Sequence, residues 1–219
     1  MNPTDILRLW QTFLHRYSKV PHGMSQKELI SLLIAGKNPV IFTAPHAVRH
    51  LRSGTHKKCE IGTGALAEAL AVATDSKSLS SLSCEESDPN WDSSIGHFKE
   101  GLLALGLKGV FVIDLHGMQS KHGPDICIGL GMKPGKAEKK TAELAQALAK
   151  KHKITLMLNV PFNAKRKTTI TSFVQSCGGS ALQVEISKTL RSPSRDPELA
   201  KRTCAFLFDL AYPLCAKKR

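Results

Sequence analysis

Apolar residues recur along this chain in two rhythms. At Ile6, Leu7, Trp10, Phe13 and Leu14 the spacing is three and four, which stacks side chains on one face of a helix and predicts an amphipathic helix from Thr4 to Lys19, capped by Thr4 or Asp5. Ser25-Gln26-Lys27-Glu28 has the pattern of a capping box ahead of Leu29, Leu32 and Leu33 and predicts a second helix. Helical runs return at Thr63 to Ala71, Ser94 to Leu105, Ala137 to His152 and Asp196 to Ala211. In the last, Pro197 stands just inside the start, where its missing amide hydrogen costs little. The other rhythm is short, continuous and apolar, as in strands buried on both faces. It covers Val40 to Ala44, Gly109 to Ile113, Ile126 to Leu130, Ile154 to Val160 and Leu182 to Ile186, with Ser78 to Cys84 a less buried candidate. Arg49 to Gly62 reads as a polar loop and Asp88-Pro89-Asn90-Trp91-Asp92 as a turn. Strands alternating with helices predict an α/β fold, a mixed and mainly parallel sheet flanked by helices.

Length and composition narrow this picture. A chain of 219 residues with 42% hydrophobic content suits one domain over residues 1–219, and an aromatic share of 5% makes its core mostly aliphatic. No apolar run is long enough to cross a bilayer, and the start of the chain lacks the basic and apolar segments of a secretory signal, so a cytoplasmic protein is expected. The six cysteines are scattered without a C-x-x-C pair, as reduced thiols are. Cys177-Gly178-Gly179 fits a turn before the next strand better than a nucleophile, since no base is assigned to it.

The formal net charge of +13 favours anionic partners. Its basic residues are spread over different elements without interleaved aromatics, unlike a base-stacking surface. A solvated basic surface is therefore expected rather than a nucleic-acid-binding one, with an acidic substrate or acidic partner as its functional version.

Two of the apolar strands deliver a histidine at the carboxyl end, His46 after Pro45 and His116 after Asp114-Leu115. In open α/β sheets ligands and catalytic groups gather at that rim. Asp114 and His116 are two residues apart and share one face of an extended strand, so Asp114 stands beside the site or orients a neighbour. The motif His46-Ala47-Val48-Arg49-His50 lacks the glutamate that a zinc-protease helix needs after its first histidine, which leaves His46 as a lone ligand, with His50 and His56 in the loop as weaker candidates that read better as exposed polar surface. Glu60 either faces the dipole of the following helix or completes a His/Glu/His set with an open position for water. Glu185 stands in an apolar strand, where burial raises a carboxyl group toward the range useful to a general base; Lys188 is the competing partner.

The ordered set Ala44-Pro45-His46-Ala47, Glu60-Ile61-Gly62-Thr63-Gly64, Ile113-Asp114-Leu115-His116-Gly117-Met118, Pro124-Asp125-Ile126-Cys127-Ile128-Gly129, Pro161-Phe162 and Leu182-Gln183-Val184-Glu185-Ile186 resembles the N-formylglutamate amidohydrolase family. The resemblance spans roughly residues 38 to 191. It implies a phosphorylase/hydrolase-like α/β fold related to zinc carboxypeptidases. It also implies one zinc held by His46, His116 and an acidic residue, Glu60, with Glu185 activating water. The chain departs from the family after Pro161-Phe162, where Lys165-Arg166-Lys167 replaces a glycine-rich stretch, and after His46, where Ala47-Val48 replaces a Ser-Gly or Ala-Gly.

The expected function is thus zinc-dependent hydrolysis of a linear amide bond in a small acidic, amino-acid-like substrate, with Arg49, Arg52 or Arg166 clamping its carboxylate. Two alternatives stand beside it. One is a zinc exopeptidase acting on a peptide or γ-glutamyl polymer; the other is a basic, non-enzymatic nucleic-acid-binding protein.

Overall fold

The computed structural model describes residues 1–18, 31–82 and 87–215. In chain order its elements are α1 (Pro3–Ser18), β1 (Ser31–Ile34), β2 (Val40–Ala44), β3 (His50–Arg52), β4 (Thr55–Lys57), α2 (Thr63–Ala73), β5 (Lys77–Ser81) and α3 (His97–Ala104). There follow β6 (Phe111–Met118), a 3-10 turn at Ser120–His122, β7 (Ile126–Gly129), α4 (Lys136–Lys151), β8 (Leu156–Leu158), α5 (Ile170–Ser176), β9 (Ser180–Ser187) and α6 (Pro197–Cys215). Seven strands form one sheet in the order β1-β5-β2-β6-β9-β7-β8, and β3 and β4 form a separate hairpin. Neighbours run parallel except β1 against β5 and β9 against β7. The sheet is therefore mixed and mainly parallel, with helices on both faces.

Alternation along the strands decides what each face carries. Val40 and Phe42, with Phe111, Ile113 and Leu115, pack into the larger apolar cluster against α1, α2, α4 and α6. Ile41, Val112 and Ala181 turn the other way, into a smaller cluster with Phe98 and Leu102 of α3 and Ile170 and Val174 of α5. Farther along that second face the same alternation presents Thr43, Asp114 and His116, and Gln183 and Glu185. Polar groups thus begin where the apolar cover of α3 and α5 stops, at the carboxyl ends of the central strands.

Helix α2 connects this rim to the core. It starts after Gly62, whose φ of 90° lies in the left-handed region, and Trp10 Nε1 of α1 donates a 2.8 Å hydrogen bond to the Gly62 carbonyl. Buried Glu68 accepts from Tyr17 and Arg16 of α1 at 2.5 and 2.7 Å, which ties the two helices together.

Several sequence-based expectations change. Leu32 and Leu33 belong to β1, paired antiparallel with β5, and not to a helix; residues 25–30 of that predicted helix lie outside the described residues. β5 is more buried than expected, with Ser78 to Ser81 all covered. The polar loop from Arg49 contains the β3–β4 hairpin, and the short helix α5 was not foreseen. β6 runs through His116 to Met118, so that histidine sits inside a strand. Among the described residues no helix is long and apolar enough to cross a membrane.

Candidate metal centre

Parallel pairing of β2 with β6 sets Thr43 beside Asp114, and the chain leaving β2 brings His46 to His116. Glu60 joins them through its backbone, since its amide donates 2.9 Å to the His46 carbonyl just before the Gly62 turn. Its carboxylate bridges the two rings: Oε1 is 3.1 Å from His46 Nδ1 and Oε2 is 3.1 Å from His116 Nδ1. The Gly117 amide donates 2.9 Å to the same Oε2. The rings meet edge to face with centroids 4.8 Å apart, and one ligand atom from each of the three residues lies within 4.8 Å of the others.

Each ring is held from behind. His46 Nε2 is 2.8 Å from Asp88 Oδ1, and His116 Nε2 is 3.0 Å from Asp114 Oδ2. Thr43 donates 2.7 Å to the other Asp114 oxygen, and Arg52 Nε donates 2.5 Å to the other Asp88 oxygen. A carboxylate behind an imidazole accepts a hydrogen bond from Nε2–H and so leaves the lone pair on Nδ1. Two such lone pairs then face a carboxylate at 3.1 Å, an arrangement of acceptors that requires a proton or a cation between them. The donor set, two imidazoles and one glutamate, is that of hydrolytic zinc sites, and the residues fit that ion.

Without metal, protons take its place. Burial opposes charging His46, but the Glu60 carboxylate and the hydrogen bond to Asp88 outweigh it and raise the imidazole to about 9. His116 is likewise raised well above its ordinary value, burial being overcome by Asp114 and Glu60. Burial would raise Glu60, yet the two imidazolium charges hold it well below the usual carboxylate range. Asp88 is also depressed against the effect of burial, by the hydrogen bond and charge of His46 and the hydrogen bond from Arg52.

The centre opens into a cleft of about 420 Å³. Glu185 lines it, in register with His116 across β6 and β9, and accepts 2.8 Å from Gln183 rather than pairing with Lys188. Burial pushes its carboxyl group up to about 7, with the His116 charge opposing and the Glu60 charge adding. Arg52 and Arg166 also line the cleft, their guanidinium carbons 5.0 and 3.5 Å from the centroid of Trp91. Arg49 is exposed and does not line it. Asp114 stands behind His116, fully buried, as an orienting group rather than one open to the cleft.

Several residues take places the sequence did not announce. Asp88, read as turn material, is fully buried on His46. From the same turn Asn90 places Nδ2 3.0 Å from His116 Nε2, while its side-chain Oδ1 accepts 2.6 Å from the Ile170 amide. His50 is no surface residue: it is 3% exposed and stacks on His46 at 4.0 Å, with Nε2 3.4 Å from Asp88 but lacking an aligned hydrogen bond. With His46 and Asp88 it forms a second group of ligand type, but the Arg52 guanidinium on Asp88 puts a fixed positive charge there, which disfavours a cation. His56 is exposed on β4, and Cys177 is exposed just after α5.

No protein-family model matches the chain, and no curated protein matches it by sequence. Solved structures do. A bacteriophage poly-gamma-glutamate hydrolase shares 14% identity over 87% of this chain and 90% of its own, with a TM-score of 0.53. An N-formylglutamate amidohydrolase from Ralstonia eutropha JMP134 shares 12% over 83% of this chain and 96% of its own, at 0.56. YNDL in an apo, zinc-free form shares 13% over 84% and 92%, at 0.50. The likeness shows the α/β fold expected for such hydrolases.

Proposed function

We propose that this chain is a zinc-dependent amidohydrolase that cleaves a linear amide bond in a small acidic, amino-acid-like substrate. The observation that carries this reading is the convergence of His46 Nδ1, His116 Nδ1 and the Glu60 carboxylate, with an aspartate behind each imidazole. The names of two fold relatives, poly-gamma-glutamate hydrolase and N-formylglutamate amidohydrolase, support the choice of bond and of an acidic substrate.

His46, Glu60 and His116 would hold the metal. Bound there, zinc supplies Lewis acidity that polarises a carbonyl and acidifies water. Glu185 accepts the proton that water loses as it attacks the amide carbon, and returns it to the leaving nitrogen as the C–N bond breaks; the products are a carboxylate and an amine. Burial raises the Glu185 carboxyl group above its ordinary value, which suits a group that serves as base and then as acid. Asp88 and Asp114 keep the imidazoles in the tautomer that offers Nδ1. Arg166, which makes no ion pair among the described residues, meets the substrate carboxylate together with the terminal nitrogens of Arg52.

The test is release of glutamate from N-formylglutamate by zinc-loaded protein. The wild-type chain is expected to release it and His46→Ala is not; equal release by both would contradict the reading.

A further inference from the structure

The cleft has two chemically different walls, and sheet order separates them. On the β5–β2 side stand Arg52, from the hairpin after β2, and Trp91, from the turn after β5; Arg166 reaches across to stack on Trp91. On the side of β7 and β8 stand Phe162, after β8, and His122, from the 3-10 turn before β7; Met118, at the end of the central strand β6, also lines the cleft. The His122 and Phe162 rings touch edge to face with centroids 5.4 Å apart, and Phe162 remains half-buried. Glu60, His46, His116 and Glu185 lie between these walls.

The second wall is fixed before any ligand arrives. Cys127 Sγ of β7 lies 3.1 and 3.3 Å from the Val160 and Phe162 carbonyl oxygens, and can donate to either. The Gly131 amide donates 3.0 Å to the Asn163 carbonyl, and the Leu130 amide donates 3.0 Å to Asn159 Oδ1. A Cβ on Gly129 would meet the Asn163 and Ala164 backbone at about 3 Å, so the loop lies directly on β7. A wall tied down in this way does not collapse onto a small substrate. The cleft of about 420 Å³ also falls in the size range of sites that enclose ligands much larger than a formyl group.

Taking the amidohydrolase reading as its basis, we propose that the substrate carries a bulky apolar group across the scissile amide from its carboxylate, seated against Phe162, Met118 and the His122 ring. The carboxylate is then held at the Arg52–Arg166 wall. Substrates of this class are acidic amino acids N-acylated by an aromatic or branched apolar acid. A formyl group carries no apolar surface to lay against the half-buried Phe162 ring.

The experiment compares kcat/KM of the zinc-loaded protein for N-benzoylglutamate and N-formylglutamate, in the wild-type chain, Phe162→Ala and Phe162→Leu. Zinc content and a thermal melt establish that each variant is folded. The expected wild-type ratio favours the benzoyl substrate by about tenfold or more, the scale of apolar pocket discrimination. Phe162→Ala is expected to remove that preference, chiefly through KM for the benzoyl substrate, and Phe162→Leu to keep most of it. A wild-type ratio at or below one, or a ratio unmoved in Phe162→Ala, with N-formylglutamate still cleaved, overturns this inference and leaves the amidohydrolase reading standing. Cleavage of neither substrate by zinc-loaded protein overturns both.

Discussion

His46 Nε2 lies 2.8 Å from Asp88 Oδ1, a residue 42 positions farther along the chain and fully buried. That contact fixes both the plane of the ring and the nitrogen left for Glu60. Asp88→Asn keeps the size of the side chain and removes its charge, so the imidazole loses basicity without a cavity forming. Zinc affinity is expected to fall by about 10- to 100-fold, the usual cost of losing a carboxylate behind a histidine ligand. Competition with a chromophoric chelator measures it; unchanged affinity would detach Asp88 from the metal centre.

Glu185 is assigned the proton transfers, and it holds none of the metal ligand positions. Glu185→Gln is therefore expected to retain zinc while hydrolysis falls by about 10²- to 10⁴-fold. A loss of zinc equal to the loss of rate would make Glu185 a ligand instead.

The same residue sets a pH dependence of folding in the metal-free protein. Its folded carboxyl group is raised to about 7 from 4.5, so the folded state binds the proton more tightly than the unfolded chain. The stability it contributes is fully present below the unfolded value and is lost as pH rises through about 7. Urea unfolding of zinc-free protein from pH 5 to 8 is expected to show that loss, and Glu185→Gln to make this part of the profile shallower.

Metal binding carries a pH dependence of its own. His46 is raised to about 9 and His116 well above its ordinary value without metal, so at pH 7 both imidazoles carry protons that zinc must displace. Affinity is expected to rise with pH between 6.5 and 8.5, by about tenfold per pH unit for each displaced proton. Calorimetry in buffers of different ionisation enthalpy counts the released protons. A flat profile would mean that the ion binds elsewhere.

Gly64, in the first turn of α2, has no room for a side chain: a Cβ there would overlap the Tyr17 ring and come within 2.7 Å of Ala47 Cβ. Gly64→Ala is expected to destabilise the fold by about 1–3 kcal/mol, as overpacking does. Urea unfolding measures it, and an unchanged midpoint would contradict this packing of α1 on α2.

His46, His116 and Glu185 stood out as candidates because each lies in or at the end of an apolar strand, where little else is left for a polar side chain to do; Glu60, in a segment read as polar loop, stood out only as a helix-dipole partner or a third ligand. Strand alternation even gave the face shared by Asp114 and His116. Asp88 was not legible in the same way: an Asp-Pro pair satisfies turn chemistry locally, and only the adjacency of β5 to β2 brings it behind His46. The same blindness to adjacency left Arg49 and Arg52 equivalent, since the hairpin that lines the cleft with one and not the other lay in a segment read as loop. Leu32 and Leu33 fit a helical stripe and a strand equally well until β5 supplies the partner. α5 escaped because seven residues beginning Ile170-Thr171 are short and β-branched, and its start rests on the Thr169 side chain, which accepts 3.2 Å from the Ser172 amide.

The central claim is that His46, Glu60 and His116 together hold one zinc ion. Elemental analysis after zinc loading and desalting tests it most directly, on the wild-type chain and on His46→Ala and His116→Ala shown to be folded by circular dichroism. The account predicts about one zinc per wild-type chain and little or none in either variant. A wild-type chain that retains no zinc, or variants that retain as much as the wild type, would contradict it.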